Sequence, residues 1–160
     1  MRANLFAILI VLVFTLAASS QDWKPCSLLT AAEIHEAMGI TVDPGMEDNM
    51  DGIIQCSWAA KEDVNLSLVL SIQKAGSNAQ ADCSARWKGE KDTGRRVEDG
   101  TGLGDKCWWS FQKKDESLSI VAMTVCNSKG ILRISVWGSE QEPKMKEMSR
   151  TLAQKALSRF

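Results

Sequence analysis

Tyrosine is absent from this 160-residue chain, histidine occurs once, at His35, and opposite charges nearly cancel at a net −1. Each scarcity excludes something. A single histidine leaves one side chain that titrates unaided near neutral pH, so a Ser–His–Asp triad or a Cys–His pair has only His35 to use. His35 follows Ile34 and precedes Glu36 in a short helical segment, which reads as a surface position. The sequence has no Gly-x-Ser-x-Gly elbow, no His-Glu-x-x-His pair and no Walker loop. It has no Cys-x-x-Cys either, so its cysteines do not read as a zinc site. A nearly neutral domain exerts no general electrostatic pull on nucleic acid. These absences point away from an enzyme, from a cofactor or metal, and from a nucleic-acid partner.

Long apolar runs are also scarce, and the one present lies at the start. Arg2, the run 5–14 and the small residues Ala18, Ser19 and Ser20 follow the order of a secretory signal peptide. A membrane-spanning helix needs about 20 predominantly apolar residues, and the run from Leu5 to Ala18 falls short of that. The first cysteine, Cys26, follows Asp22-Trp23-Lys24-Pro25, which is no lipoprotein cleavage motif. The expectation is a signal peptide over 1–20, cleaved after Ser20. A single domain over 21–160 then remains, secreted or periplasmic, with no stable membrane anchor.

The remaining sequence is informative about structure. Thr30 and Glu33 have capping-box spacing, Leu29 and Ile34 sit as a hydrophobic staple, and Gly39 suits a left-handed cap, which predicts a helix over 31–38. The segment 43–52 reads as a polar loop. Alternation predicts strands near 54–58, 66–72, 107–111, 118–125 and 131–137, with turns at 61–63 and 127–130. A second helix is expected over 79–88. A third starts near Ser139, with Glu142 completing a capping box and Met145, Met148, Leu152, Ala156 and Phe160 forming an apolar stripe. Such a stripe, flanked by Lys144, Lys146, Arg150 and Lys155, reads as a helix packed on a sheet rather than on a membrane.

Cys56-Ser57-Trp58 followed by Leu66-Ser67-Leu68-Val69 is echoed by Cys107-Trp108-Trp109 followed by Leu118-Ser119-Ile120-Val121. The echo suggests two related helix–strand–strand units. The fold class expected is α+β, with a largely antiparallel sheet, helices packed on one face and a C-terminal helix.

Pro25-Cys26-Ser27-Leu28-Leu29-Thr30, Cys56-Ser57-Trp58 and Gly102-Leu103-Gly104-Asp105 together resemble a large family of small secreted bacterial proteins and lipoproteins that carry a domain of unknown function. The resemblance spans nearly all of the mature chain. It implies an envelope or extracellular location, an α+β fold and a Cys26–Cys56 bridge, and it implies no activity. The chain departs from the family in lacking a lipobox and in carrying Cys83, Cys107 and Cys126.

Five cysteines in an oxidising compartment make at most two bridges and leave one thiol over. Helix-on-sheet packing can place Cys26 beside Cys56. If the echo reflects related units, Cys107 corresponds to Cys56 and takes Cys83 as its partner, leaving Cys126 as the free thiol. Cys107–Cys126 and Cys83–Cys126 stay open as competitors.

Other constellations read blandly. Gly100, Gly102 and Gly104 precede a strand, so they make a tight turn rather than a phosphate loop. Asp43, Glu47, Asp48 and Asp51 lack EF-hand spacing. The tryptophans stand out more. Trp58 and Trp109 share the faces of Cys56 and Cys107, whereas Trp108 and Trp137 look to the opposite face. They form a candidate binding surface, competing with coverage of that face by a helix. The reading is a non-catalytic secreted or periplasmic binding or envelope-accessory module for an unknown envelope or extracellular partner. Two alternatives stand beside it: a secreted inhibitor of another protein using the segment 43–52, and a hydrolase with an unrecognised site.

Overall fold

The computed structural model describes residues 23–113 and 118–160. The signal peptide and the cleavage after Ser20 expected from the sequence lie outside the described residues. The order of elements is a 3-10 turn Pro25–Ser27, then α1 (Ala31–Met38), β1 (Met46–Met50), β2 (Ile53–Ala59), β3 (Ser67–Lys74), α2 (Ala79–Asp92), β4 (Arg96–Asp99), β5 (Lys106–Lys113), β6 (Ser119–Asn127), β7 (Gly130–Gly138) and α3 (Glu142–Leu157). The seven strands form one antiparallel sheet in the order β1-β2-β3-β7-β6-β5-β4. The fold is α+β. Two meanders, β1–β3 and β4–β7, meet where β3 pairs with β7, and α2 carries the chain from the middle of the sheet to its far edge.

Local chemistry explains most of these elements. In α1 the Thr30 hydroxyl accepts from the Glu33 amide and the Glu33 carboxylate accepts from the Thr30 amide, which closes the capping box. Gly39 ends the helix at φ 72°, a conformation that costs glycine nothing. The α3 start differs from expectation. Its cap is Gln141, no side chain caps it, and Ser139 lies outside the helix, because Pro143 fixes the first turn without needing an amide partner.

Two strands stand where none was expected. β4 is a short edge strand against β5. The other is β1, which occupies half of the stretch 43–52 read as a polar loop. Its Met-Glu-Asp-Asn-Met sequence is exposed at every position and so has no alternation to read. The hairpin signal sits instead in Asp51-Gly52, whose φ values of 51° and 82° are those of a two-residue primed turn.

The two sheet faces are built differently. On the first, cross-strand rows read Leu68–Val136–Val121–Phe111, Leu70–Ile134–Met123–Trp109 and Ile72–Leu132–Val125–Cys107. These residues join α3 (Met145, Met148, Leu152, Ala156) and α1 (Ile34, Met38) in the main core. Ion pairs Glu33–Arg159 and Glu36–Lys155 tie α1 to the end of α3. α2 lies on the second face, where Cys83 packs with Trp108, Cys126 and Ile131 in a separate cluster. The expectation that all helices share one face is therefore corrected: α1 and α3 cover one side, and α2 crosses to the other.

That crossing also sets the disulfides. Cys26 bonds Cys56 on the first face, at a Cα separation of 5.1 Å. Cys83 bonds Cys126, at 6.0 Å, in place of the expected Cys83–Cys107. The cause is strand parity. Cys107 pairs with Val125 and Cys126 with Lys106, so Cys107 and Cys126 lie at adjacent register positions and point to opposite faces. α2 can reach Cys126 but not Cys107. Cys107, rather than Cys126, is the free cysteine, and it is buried in the main core.

Candidate functional site

α2 covers the second sheet face only over β5, β6 and part of β7. Beyond it no other described element covers the face. Here one cross-strand row reads Gln55–Ser71–Arg133, the next Val69–Ser135–Ala122–Ser110 and the third Trp137–Ile120–Gln112. The middle row is made of short side chains, so its floor lies lower than the rows beside it. The result is a groove of about 510 Å³ across β2, β3, β7, β6 and β5. This size falls in the range that small-molecule sites occupy. Met50 and Ile53 close the groove at the β1 end, and Arg86 and Arg95 stand at the α2 end.

Arg133 anchors the α2 end. It is 8% exposed, and its Nη1 donates to Glu90 Oε1 and to Thr124 Oγ1 (2.9 Å) while Nη2 donates to Ser110 Oγ (3.0 Å). Glu90, projecting from α2, is 4% exposed and also accepts from Trp108 Nε1 at 3.0 Å and Arg86 Nε at 3.2 Å. A polar network thus sits between α2 and the sheet with its donors and acceptors matched, as burial requires.

The two partners respond oppositely to this environment. Burial brings the Arg133 guanidinium down to about 10; Glu90 opposes that shift, and the nearby Arg86 and Arg95 reinforce it. Burial pushes the Glu90 carboxyl up, but the Arg133 charge and the hydrogen bonds of Trp108 and Ser110 outweigh it, leaving Glu90 below its ordinary value. Both groups are ionised at neutral pH. One carboxylate faces three guanidinium groups, so this end of the groove carries an excess of positive charge. Arg95 forms no ion pair among the described residues.

The expected site residues fall in different places. Trp108 does point to the second face, but α2 covers it, it is 0% exposed, and its indole donates to Glu90. It belongs to the support of the groove and not to a binding surface. Trp137 lies beyond the reach of α2, half-buried, and forms part of the groove wall. His35 is exposed on α1 on the far side of the molecule, its Nδ1 3.0 Å from the Ile40 carbonyl. Gly102 and Gly104 lie in a turn at φ 80° and 57° that leads into β5. No group of three or more His, Cys, Asp or Glu positioned to hold a metal occurs among the described residues. No helix among them is long and apolar enough to cross a membrane.

No protein-family model and no curated protein matches the chain. The geometry of the groove is therefore what speaks to function. Arg86, Arg95 and Glu90 were not legible in the sequence. One signal was present: Arg133, Ser135 and Trp137 share a face of a strand whose other face is apolar. What places Arg86, Arg95 and Glu90 beside them is the crossing of α2, which no local pattern encodes.

Proposed function

We propose that the protein is a non-catalytic, secreted or periplasmic binding module and that the open groove on the second sheet face is its binding surface. One observation carries the reading. On the face opposite the main core, a row of short side chains leaves a recess lined by apolar residues and by three guanidinium groups, of which Arg133 is held by Glu90, Thr124 and Ser110. Recesses with an apolar lining and a few convergent polar groups are the usual form of small-ligand sites. The two bridges fit a chain that folds in an oxidising compartment, as does the resemblance to small secreted bacterial proteins.

The inhibitor alternative would use a different surface, the segment 43–52, half of which is the exposed edge strand β1 paired with β2 through Met46–Met50. The test is a groove-filling variant, Ser135→Trp. It is expected to fold with both bridges intact and to lose small molecules that the wild-type protein retains when it is purified from its native envelope fraction and examined by native mass spectrometry. Equal retention by the two proteins would overturn the proposal.

A further inference from the structure

We infer that the groove takes a small amphipathic oxyanion, with its charged head at the α2 end and its apolar chain lying along Val69, Ile120 and Trp137 toward Ile53. The inference rests on the reading of this face as the binding surface and names the ligand class for it.

Charge selects the head group. Arg86, Arg95 and Arg133 line the groove, and Glu90 is the only carboxylate paired with any of them among the described residues. Guanidinium groups match carboxylate, sulfate and phosphate oxygens in a two-pronged geometry that neutral or cationic head groups do not offer. Arg133 is already held in place by Glu90, Thr124 and Ser110, so little ordering is left to oppose binding. A neutral ligand seated here would strip water from the more exposed guanidinium groups of Arg86 and Arg95 without replacing it, which is unfavourable.

Orientation and size follow from the rest of the groove. At the β1 end Asp48 sits opposite Gln55, whose Nε2 is 3.5 Å from its carboxylate, so an anionic head is disfavoured there. Away from the arginines the apolar lining is Met50, Ile53, Val69, Ile120 and Trp137, interleaved with uncharged serine and glutamine side chains. About 510 Å³ accommodates one small molecule rather than a folded partner.

The experiment is calorimetric titration of the disulfide-intact mature protein with decanoate, decyl sulfate, decanol and acetate, each below its micelle concentration. Decanoate or decyl sulfate is expected to bind at least about tenfold more tightly than decanol, and acetate more weakly than either. Arg95→Gln, which removes a side chain that forms no ion pair among the described residues, is expected to weaken the anionic amphiphile by about tenfold while leaving decanol and thermal stability unchanged. Which of the two anions binds better distinguishes carboxylate from sulfate recognition. Equal affinity for decanol, or an anionic affinity indifferent to Arg95→Gln, would overturn the inference. If decanol bound equally and Ser135→Trp abolished that binding, the groove would stand as a binding surface and only the anion would fall. If an amphiphile bound with no effect of Ser135→Trp, both would fall.

Discussion

Replacing Glu90 with Gln is the most discriminating single change in the protein. Glu90 and Arg133 are 4% and 8% exposed, so water cannot take over for either when the other is lost. The Gln side chain keeps the volume but presents an amide N–H₂ toward Arg133, Arg86 or the Trp108 indole, all of which are donors. It also leaves the Arg133 charge uncompensated beside Arg86 and Arg95. Breaking a buried pair from one side costs about 3–5 kcal/mol, a large fraction of the roughly 5–15 kcal/mol that holds a domain folded. In a domain of this size that lowers Tm by roughly 10–15 °C. Non-reducing urea unfolding at pH 7, followed by circular dichroism and tryptophan fluorescence, reads the loss directly. The double variant Glu90→Gln/Arg133→Met removes both charges and should recover most of it. A loss below about 1 kcal/mol for the single variant, or no recovery in the double, would refute the assignment of an ionised buried pair.

Acid sensitivity follows from the same residues and from α1. Hydrogen bonds from Arg159 and Thr30 hold Glu33 near 2, against an ordinary 4.5, and Glu90 is also held low. Carboxyls with folded values below their unfolded ones stabilise above the unfolded value, so stability should fall as pH drops from about 4.5 toward 2; Glu33→Gln should flatten that loss in pH-dependent thermal melts. The Cys83–Cys126 bridge closes a sequence separation of 43, so Cys83→Ser should cost about 2–4 kcal/mol and abolish the reductant sensitivity of the α2 side in urea titrations. Cys107 is 3% exposed and should resist alkylation in the folded oxidised protein, becoming the one modified cysteine after unfolding without reductant in peptide mapping. Leu152→Ala, at a fully buried position where α3 meets the sheet, should cost about 2–5 kcal/mol by chemical denaturation.

What the sequence disclosed tracks the range of the interactions involved. α1 was legible to the residue, because its limits are written in Thr30, Glu33 and Gly39 within one short segment. The central strands were legible through alternation, and so was the sharing of one face by Trp58, Trp109, Cys56 and Cys107. The edge strand β1 was missed because an edge exposed on both sides shows no period, although Asp51-Gly52 marked its turn. The second bridge was misassigned because it depends on which face α2 covers. Strand parity separates Cys107 from Cys126, and only the long crossover decides which of them Cys83 meets. The candidate site was half legible: Arg133, Ser135 and Trp137 line up along one strand, while Arg86, Arg95 and Glu90 arrive through the same crossover.

The most direct test of the central claim is an amide chemical-shift map of the ¹⁵N-labelled protein, recorded before and after addition of a small-molecule extract of its source cells. Shifts concentrated on Val69, Ser71, Ile120, Ser135 and Trp137, and absent in Ser135→Trp, are the result expected of a ligand seated in the groove. Shifts concentrated instead on the exposed residues of α1 and α3, on the opposite side of the sheet, would contradict it.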